Sequence, residues 1–310
     1  MNINDLRALV ALADAGSVGR AALMLGLTQP ALSRRIQNLE THLEVTLVDR
    51  TSKPLTLTST GRRVLDQGRH LLRSLSELEA SCREADQATG PLRLGVAYGL
   101  AEDVLAGPLT ELRQQFPHVE LVVKTGWTKQ LLEELDHAVL DGVIGYFPIE
   151  GADVTRQKRT LGQESVAVVA PRDWHISTKL DGFLRDNVSW VLNPSACSFR
   201  SALEAMLEKR DLPLRVSMEV IGRELQLSLI ARGVGMGLCP VCSLEKSAHA
   251  SGVQVLNLDD VNIRTDIALV LGKGTSDLSD PFETLCAAVE GVLDRKVGSK
   301  AIHDKQLNAN

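Results

Sequence analysis

The stretch TQPALSRRIQNLE gathers Gln29, Ser33, Arg34, Arg35 and Gln37 within nine residues of an amphipathic run. These side chains suit nucleic acid: arginine can grip guanine O6 and N7 bidentately, and glutamine can pair similarly with adenine. Two other stretches invite chemistry. Cys239-Pro-Val-Cys242 has the spacing of a redox motif and, with Cys197, allows a thiol sensor. A free cysteine is more commonly a small core residue. GVGMG at 233–237 has the glycines of a dinucleotide fingerprint but follows a helix and precedes a strand, the reverse of what phosphate binding needs, so it reads as a structural turn. There is no strand-GxxxxGK[ST]-helix, HExxH or GxSxG, and the seven histidines are scattered. An enzyme is not expected, nor a cofactor or metal.

Helical spacing says how the arginines are held. Leu6, Leu9, Val10 and Ala13 mark one buried face, ended by Gly16. Ser17 can cap a second helix with Val18, Ala21, Ala22 and Leu25 inward, before Gly26. After that turn Thr28 caps a third helix, with Pro30 in its first turn. Two short helices joined by a glycine-containing turn make a helix-turn-helix. In the third helix Leu32, Ile36, Leu39 and Leu43 form the inner stripe; Pro30, Arg34, Gln37, Asn38 and Thr41 lie opposite, and Ser33 and Arg35 lie on the flanks. Any amphipathic helix has a polar outer face. The capped helix and tight turn before this one favour a recognition helix, with Gln29, Ser33 and Arg34 at the end that enters a major groove. Arg35 on the flank is better placed for a phosphate.

Residues 45–58 change to short alternation around DRTSKP, a two-stranded wing expected to carry Arg50 and Lys53 at its tip for phosphate contact. A long proline-free helix follows from Ser59 to Ala88. Val64, Leu71, Leu78 and Ala85 recur every seven residues with Leu75 and Cys82 between, a coiled-coil seam that would pair two chains; Gly61 and Gly68 at weak seam positions leave open packing against the chain's own body instead.

Charge separates this part from the rest. Residues 1–73 hold ten Lys/Arg against six Asp/Glu, and the remainder 24 against 33, so +4 stands beside −9. A basic segment collects phosphates while an acidic body resists non-specific adsorption. No apolar stretch approaches the ~20 residues of a membrane span, no signal peptide is evident, and five cysteines make an odd, sparse set; the expected location is cytoplasmic.

Asn2 to Arg69 resembles the DNA-binding domain of LysR-type transcriptional regulators, through Ala21, Ala22, Leu25, Gly26, Gln29, Pro30, Ala31, Ser33, Arg34, Leu39, Glu40, Arg50, Leu57, Thr58 and Gly61. Glu44 stands where that family usually has glycine, and Val48 where it has phenylalanine. The resemblance implies double-stranded operator DNA, a small-molecule effector and a homodimer or homotetramer as partners.

Beyond Gly90-Pro91, strands alternate with helices, the pattern of parallel, doubly wound sheets. The order resembles the family's effector domain of two Rossmann-like α/β lobes, similar to periplasmic binding proteins. The expected organisation is a winged helix-turn-helix at 1–58, a linker helix at 59–89, an effector domain at 90–297 and a frayed tail at 298–310. Lobe I would take about 90–161 and 266–297, and lobe II about 162–265. Ligands of such sheets sit where strand ends meet helix N-termini. The candidate junctions hold Tyr98 and Gly99; Thr125, Trp127 and Thr128; and Ser195, Cys197, Ser198 and Phe199, with Tyr146 and Phe147 as a further wall. Hydroxyls beside aromatic rings would suit a small carboxylate or aromatic acid.

Overall fold

The computed structural model describes every residue except 1, 53, 54, 82–89, 150–157, 176–187, 245, 257, 259, 260, 262, 274, 276, 277 and 308–310. The chain forms two compact units, one built on Met1–Gln87 and the other on most of the remainder. No helix among the described residues is long and apolar enough to cross a membrane.

In the first unit α1 (Ile3–Ala15), α2 (Val18–Met24) and α3 (Gln29–Leu43) enclose a core of Leu6, Leu9, Leu12, Ala21, Ala22, Leu32, Ile36 and Leu39. Asn2, Ser17 and Thr28 each cap the helix they precede, as the sequence pattern requires at those turns. The α3 C-terminus closes through Glu44 in the left-handed region, φ 54° and ψ 35°. The N–H of Val45 reaches back to the Glu40 carbonyl, the long bond of a Schellman ending. The wing is two short antiparallel strands, β1 (Val48–Asp49) and β2 (Thr56–Leu57).

The linker helix α4 (Ser59–Ser81) does two things in turn. Its first half packs inward: Gly61, Leu65 and Gly68 are buried, and Val64 and Leu72 pack on the same core as α1. Gly61 and Gly68 are therefore not slack seam positions. A Cβ on Gly61 would lie 2.1 Å from the Leu47 carbonyl oxygen, and one on Gly68 2.7 Å from a Leu6 methyl. Arg69 and Asp14 pair across α4 and α1. The exposed leucines begin later, with Leu71 47 % and Leu78 63 % exposed. Cys82 and Ala85 of the seam lie outside the described residues.

The second unit is mixed rather than purely parallel. β3 (Gly90–Ala97) lies between β4 (Val119–Gly126) and β5 (Gly142–Pro148), all parallel. Next comes β11 (Ile263–Leu271), antiparallel to β5 and to the fourteen-residue β6 (Lys158–Pro171). The far half of β6 pairs antiparallel with β9 (Gly237–Pro240) and β10 (Val253–Leu256). The short parallel pair β7 (Trp190–Leu192) and β8 (Val216–Glu219) bridges to Met236. The boundaries expected at 161/162 and 265/266 fall inside β6 and β11. The chain crosses between its two halves on one strand and returns on the other, and an outbound and a returning strand that pair side by side must be antiparallel. Most strands of the two expected lobes thus join one seven-stranded sheet, with β7 and β8 a separate pair.

Helices α5 (Ala106–Gln115), α6 (Thr128–Asp136), α7 (Ser198–Glu208), α8 (Arg223–Ala231) and α9 (Val241–Leu244) fill the connections. The last helix, α10 (Ser279–Leu307), buries Phe282, Leu285, Cys286, Val289 and Leu293 along one face. It runs on through GSKAIHDKQL, where a frayed tail was expected. That segment lacks an apolar stripe but is proline-free and rich in helix-forming residues, so backbone propensity continues the helix.

Candidate nucleic-acid interface and ligand cleft

Thr28 fixes the start of α3 by accepting the Ala31 N–H on its Oγ1 at 3.4 Å, with Pro30 in the first turn. With Leu32, Ile36 and Leu39 buried beneath, Gln29, Pro30, Arg34 and Gln37 are exposed, while Ser33 and Arg35 are half-buried at the edges. The phase expected from the sequence therefore holds, and the two adjacent arginines occupy different environments.

The wing departs from expectation. Arg50 does not project from the tip: it directly follows β1, and its guanidinium is paired with Glu40 Oε2 at 2.7 Å. Glu40 Oε1 also accepts the backbone N–H groups of Leu47 and Val48, at 2.9 and 3.1 Å. One carboxylate at the edge of α3 thus ties down the wing's first strand and its arginine. Sequence reasoning used Glu40 only as a motif letter, since a glutamate on a helix edge does not announce which backbone it will meet. At the turn the Thr51 hydroxyl, then its backbone N–H, hold the Asp49 carboxyl below its usual range. Lys53 lies outside the described residues.

In the second unit a cavity of about 130 Å³ opens where strand ends meet helix starts. Tyr98 and Gly99 follow β3, Trp127 and Thr128 begin α6, Tyr146 lies on β5, and Cys197, Ser198 and Phe199 begin α7. All eight line it. The rings form two pairs, Tyr98 edge-on to Trp127 at 4.9 Å and Tyr146 tilted on Phe199 at 4.6 Å.

Three expected residues do not line it. Phe147 neighbours Tyr146 on a strand and so faces the other side, buried with Leu131, Leu135, Val143 and Ala268. The Lys158 ammonium stands 6.0 Å from its ring centroid. Thr125 is exposed on β4, one strand step too early for the α6 junction. Ser195 is exposed, and its carbonyl accepts from Ser201 Oγ at 3.3 Å.

The rest of the lining includes Asn193, Ile221, Arg223, Gln226, Leu238 and Pro240. The missed signal was the strand-to-helix junction at β8 and α8, which obeys the same rule but carries no cluster of hydroxyls and rings.

The two hydroxyls are partly committed. Thr128 Oγ1 accepts the Tyr146 N–H at 3.3 Å, and Ser198 Oγ donates to the Tyr146 carbonyl at 3.1 Å. Tyr146 is thereby held by α6 on one side and α7 on the other. Thr128 keeps its O–H for a further acceptor. The Arg200 guanidinium pairs with Glu204 one turn along α7 and ties the helix to Glu219 on β8, both at 2.8 Å, and to the Asn193 carbonyl at 3.1 Å. Cys197 is 6 % exposed; burial pushes its thiol pKa up, opposed by the N–H groups of Arg200 and Phe199 and by the Arg200 charge. Cys239 does not join it. Leu238 and Pro240 face the cavity, so Cys239 between them faces the opposite cluster, with Val191, Leu227 and Ile230. The backbone of Cys242 is in α9. GVGMG leads from the end of α8 into β9, a structural turn.

Residues 3–62 match the model of the bacterial regulatory helix-turn-helix protein, lysR family, and residues 85–291 match the LysR substrate binding domain. The chain belongs to the LysR family of transcriptional regulators. Its relatives include the DNA-binding transcriptional dual regulator OxyR of Escherichia coli, 38% identical over 300 residues, covering 95% of this chain and 96% of the relative. HTH-type transcriptional regulator YofA of Bacillus velezensis is 30% identical over 246 residues, 79% of this chain and 82% of the relative. Among solved structures, a full-length OxyR variant from Pseudomonas aeruginosa superposes with a TM-score of 0.75 at 22% identity, covering 93% of this chain and 94% of that one. Full-length LysG from Corynebacterium glutamicum, described with bound effector Arg, gives 0.58 at 23% identity, covering 93% and 98%. LysR regulators bind DNA and small-molecule effectors, so those partners follow for this chain.

Proposed function

We propose that this regulator reads its operator through Gln29, Ser33, Arg34 and Gln37 in a major groove, with Thr28, Pro30 and Arg35 at the backbone and Arg50 and Lys53 serving the wing. The supporting observation is the outward polar face of α3 above a fully buried stripe. Arg34→Ala should cost about 1–3 kcal/mol on the specific operator and little on random DNA. Gel shifts on both, across a salt series, check this; equal loss on all sequences would make Arg34 a phosphate contact.

The effector proposed is a small carboxylate or aromatic acid held in the cavity. An apolar protein cavity of about 150 Å³ holds benzene, so 130 Å³ admits a body of that order. Two aromatic pairs supply the apolar wall, while the first turns of α7 and α8 and the free Thr128 O–H supply donors to an anion. Closure around the ligand would alter the packing between subunits and so couple two separate sites. A thermal-shift screen against small acids tests this, since a ligand of the folded form raises apparent stability. Such a regulator works where the DNA is, in the cytoplasm.

A second reading is supported by Cys197 in the same cavity and by relatives named hydrogen peroxide-inducible genes activator. A Cys197 thiolate attacking a peroxide oxygen would break the O–O bond and become a sulfenic acid, releasing hydroxide that takes up a proton from solvent to give water. Burial favours the neutral thiol and weighs against this reading. Mass spectrometry after mild peroxide decides: an unmodified Cys197 removes it.

A further inference from the structure

We infer that the side-chain amides of Asn193 and Gln226 restrict the effector to small acids that also carry an N–H or O–H donor, such as 2-hydroxy and 2-amino acids. The inference rests on reading the cavity as the effector site. Its own basis is a fixed orientation of two amides that the family's strand-and-helix pattern does not specify.

Gln226 lies on the inner face of α8, 2 % exposed, and lines the cavity. Its Nε2 donates to the Val191 carbonyl at 2.8 Å. A carbonyl can accept only from the nitrogen end, so this bond sets which way the amide points. The Oε1 end is then turned to Asn193, whose Nδ2 donates to it at 3.4 Å. That contact is long, and a carbonyl oxygen has a second lone pair. The same logic passes to Asn193: with its nitrogen on Gln226, its Oδ1 is left as an acceptor, and no partner for it is found among the described residues. The amide wall therefore offers two acceptors in a cavity that Thr128 also lines.

A ligand with only a carboxylate and a hydrocarbon body would exclude water from these acceptors and give nothing back. A buried polar group left unpaired is costly. A hydroxyl or ammonium beside the carboxylate satisfies one or both, and the resulting preference should be about 10- to 100-fold. The preference is for a hydrogen-bond donor, not for charge, so hydroxy and amino members of one series should both gain.

The test uses the full chain and two matched series: isobutyrate, 2-hydroxyisobutyrate and 2-aminoisobutyrate; and phenylacetate, mandelate and phenylglycine. Calorimetry and thermal shift give dissociation constants for each. In the unaltered chain the hydroxy and the amino member of a series should each bind about 10- to 100-fold more tightly than the parent acid, and a gain confined to the amino member overturns the inference. In Asn193→Leu and Gln226→Leu that ratio should fall below about 3-fold while the parent acid binds at least as well. Asn193 is only half-buried, so its variant keeps the fold even if the Gln226 one does not; melting of each variant is measured first. Parent acids that bind as tightly as their substituted partners overturn the inference while leaving the effector site standing. Discrimination that survives in Asn193→Leu also overturns it. If no member of either series binds the unaltered chain, the reading of the cavity fails and the inference with it.

Discussion

Gly61→Ala tests how the wing and the linker helix are joined. The added Cβ would lie 2.1 Å from the Leu47 carbonyl oxygen and 2.9 Å from its carbon, both backbone atoms that no rotamer can move. Relief requires the α4 backbone and the strand entry to separate by about an ångström. That carbonyl accepts the Thr58 N–H at 3.0 Å, while Thr58 Oγ1 donates to the Thr46 carbonyl at 2.8 Å and accepts the Gly61 N–H at 2.9 Å. Separation strains this whole set. Losing the cap costs about 1 kcal/mol, and overpacking about 1–3 kcal/mol. The better helix propensity of alanine returns about 1 kcal/mol, so the net loss is about 2 kcal/mol. For a unit of under a hundred residues that is roughly 10 °C in melting temperature. Tryptophan fluorescence is blind to it, because Trp127, Trp174 and Trp190 all lie in the second unit. Calorimetry and amide exchange over residues 47–61 report it, with faster exchange there and weaker operator binding expected. Gly291→Ala is the control: its Cβ would meet nothing within 4 Å, so the helix of α10 should be stabilised by about 1 kcal/mol. Unchanged exchange at Leu47 to Gly61 in Gly61→Ala would refute the reasoning.

Glu44→Gly should stabilise the first unit by about 0.5–1 kcal/mol, because a non-glycine residue at φ 54° carries strain that glycine does not, less the extra entropy of the unfolded chain; urea unfolding followed by exchange checks it. Leu71→Asp with Leu78→Asp should shift the oligomer towards smaller species while helicity is kept, as read by sedimentation, since both leucines are exposed on the helix that carries the proposed seam. Trp127→Ala should weaken effector binding about tenfold or more by removing one ring of the Tyr98 pair, and the same variant should leave affinity for non-specific DNA unchanged.

The first unit was legible because its information is local. Caps at Ser17 and Thr28, glycine after α1, and the stripe Leu32, Ile36, Leu39 all act within a few residues, and helical phase alone separated exposed Arg34 from half-buried Arg35. Glu40 escaped because its partners, Leu47, Val48 and Arg50, meet it only after the chain reverses into the wing. Gly61 was read as a gap in a seam because the atom that excludes a side chain there belongs to Leu47, fourteen residues earlier.

In the second unit the strand-to-helix rule located the cavity, and tertiary structure chose its lining. Alternation along β5 admits Tyr146 and rejects Phe147; alternation along β9 admits Leu238 and Pro240 and turns Cys239 away from Cys197. The crossing of β6 and β11 was implied only by the family resemblance, as hinges between two lobes, and its antiparallel pairing could not be read from the residues because strand direction in a sheet depends on which strands become neighbours. The sequence by itself determined the N-terminal helices and their caps, since periodicity and capping are encoded within a turn or two, and its spaced motif residues carried the resemblance to the family. Only the folded chain decided which carboxylate anchors the wing, which rings face the cavity and which way two amides point, because each depends on a backbone atom supplied from far along the chain.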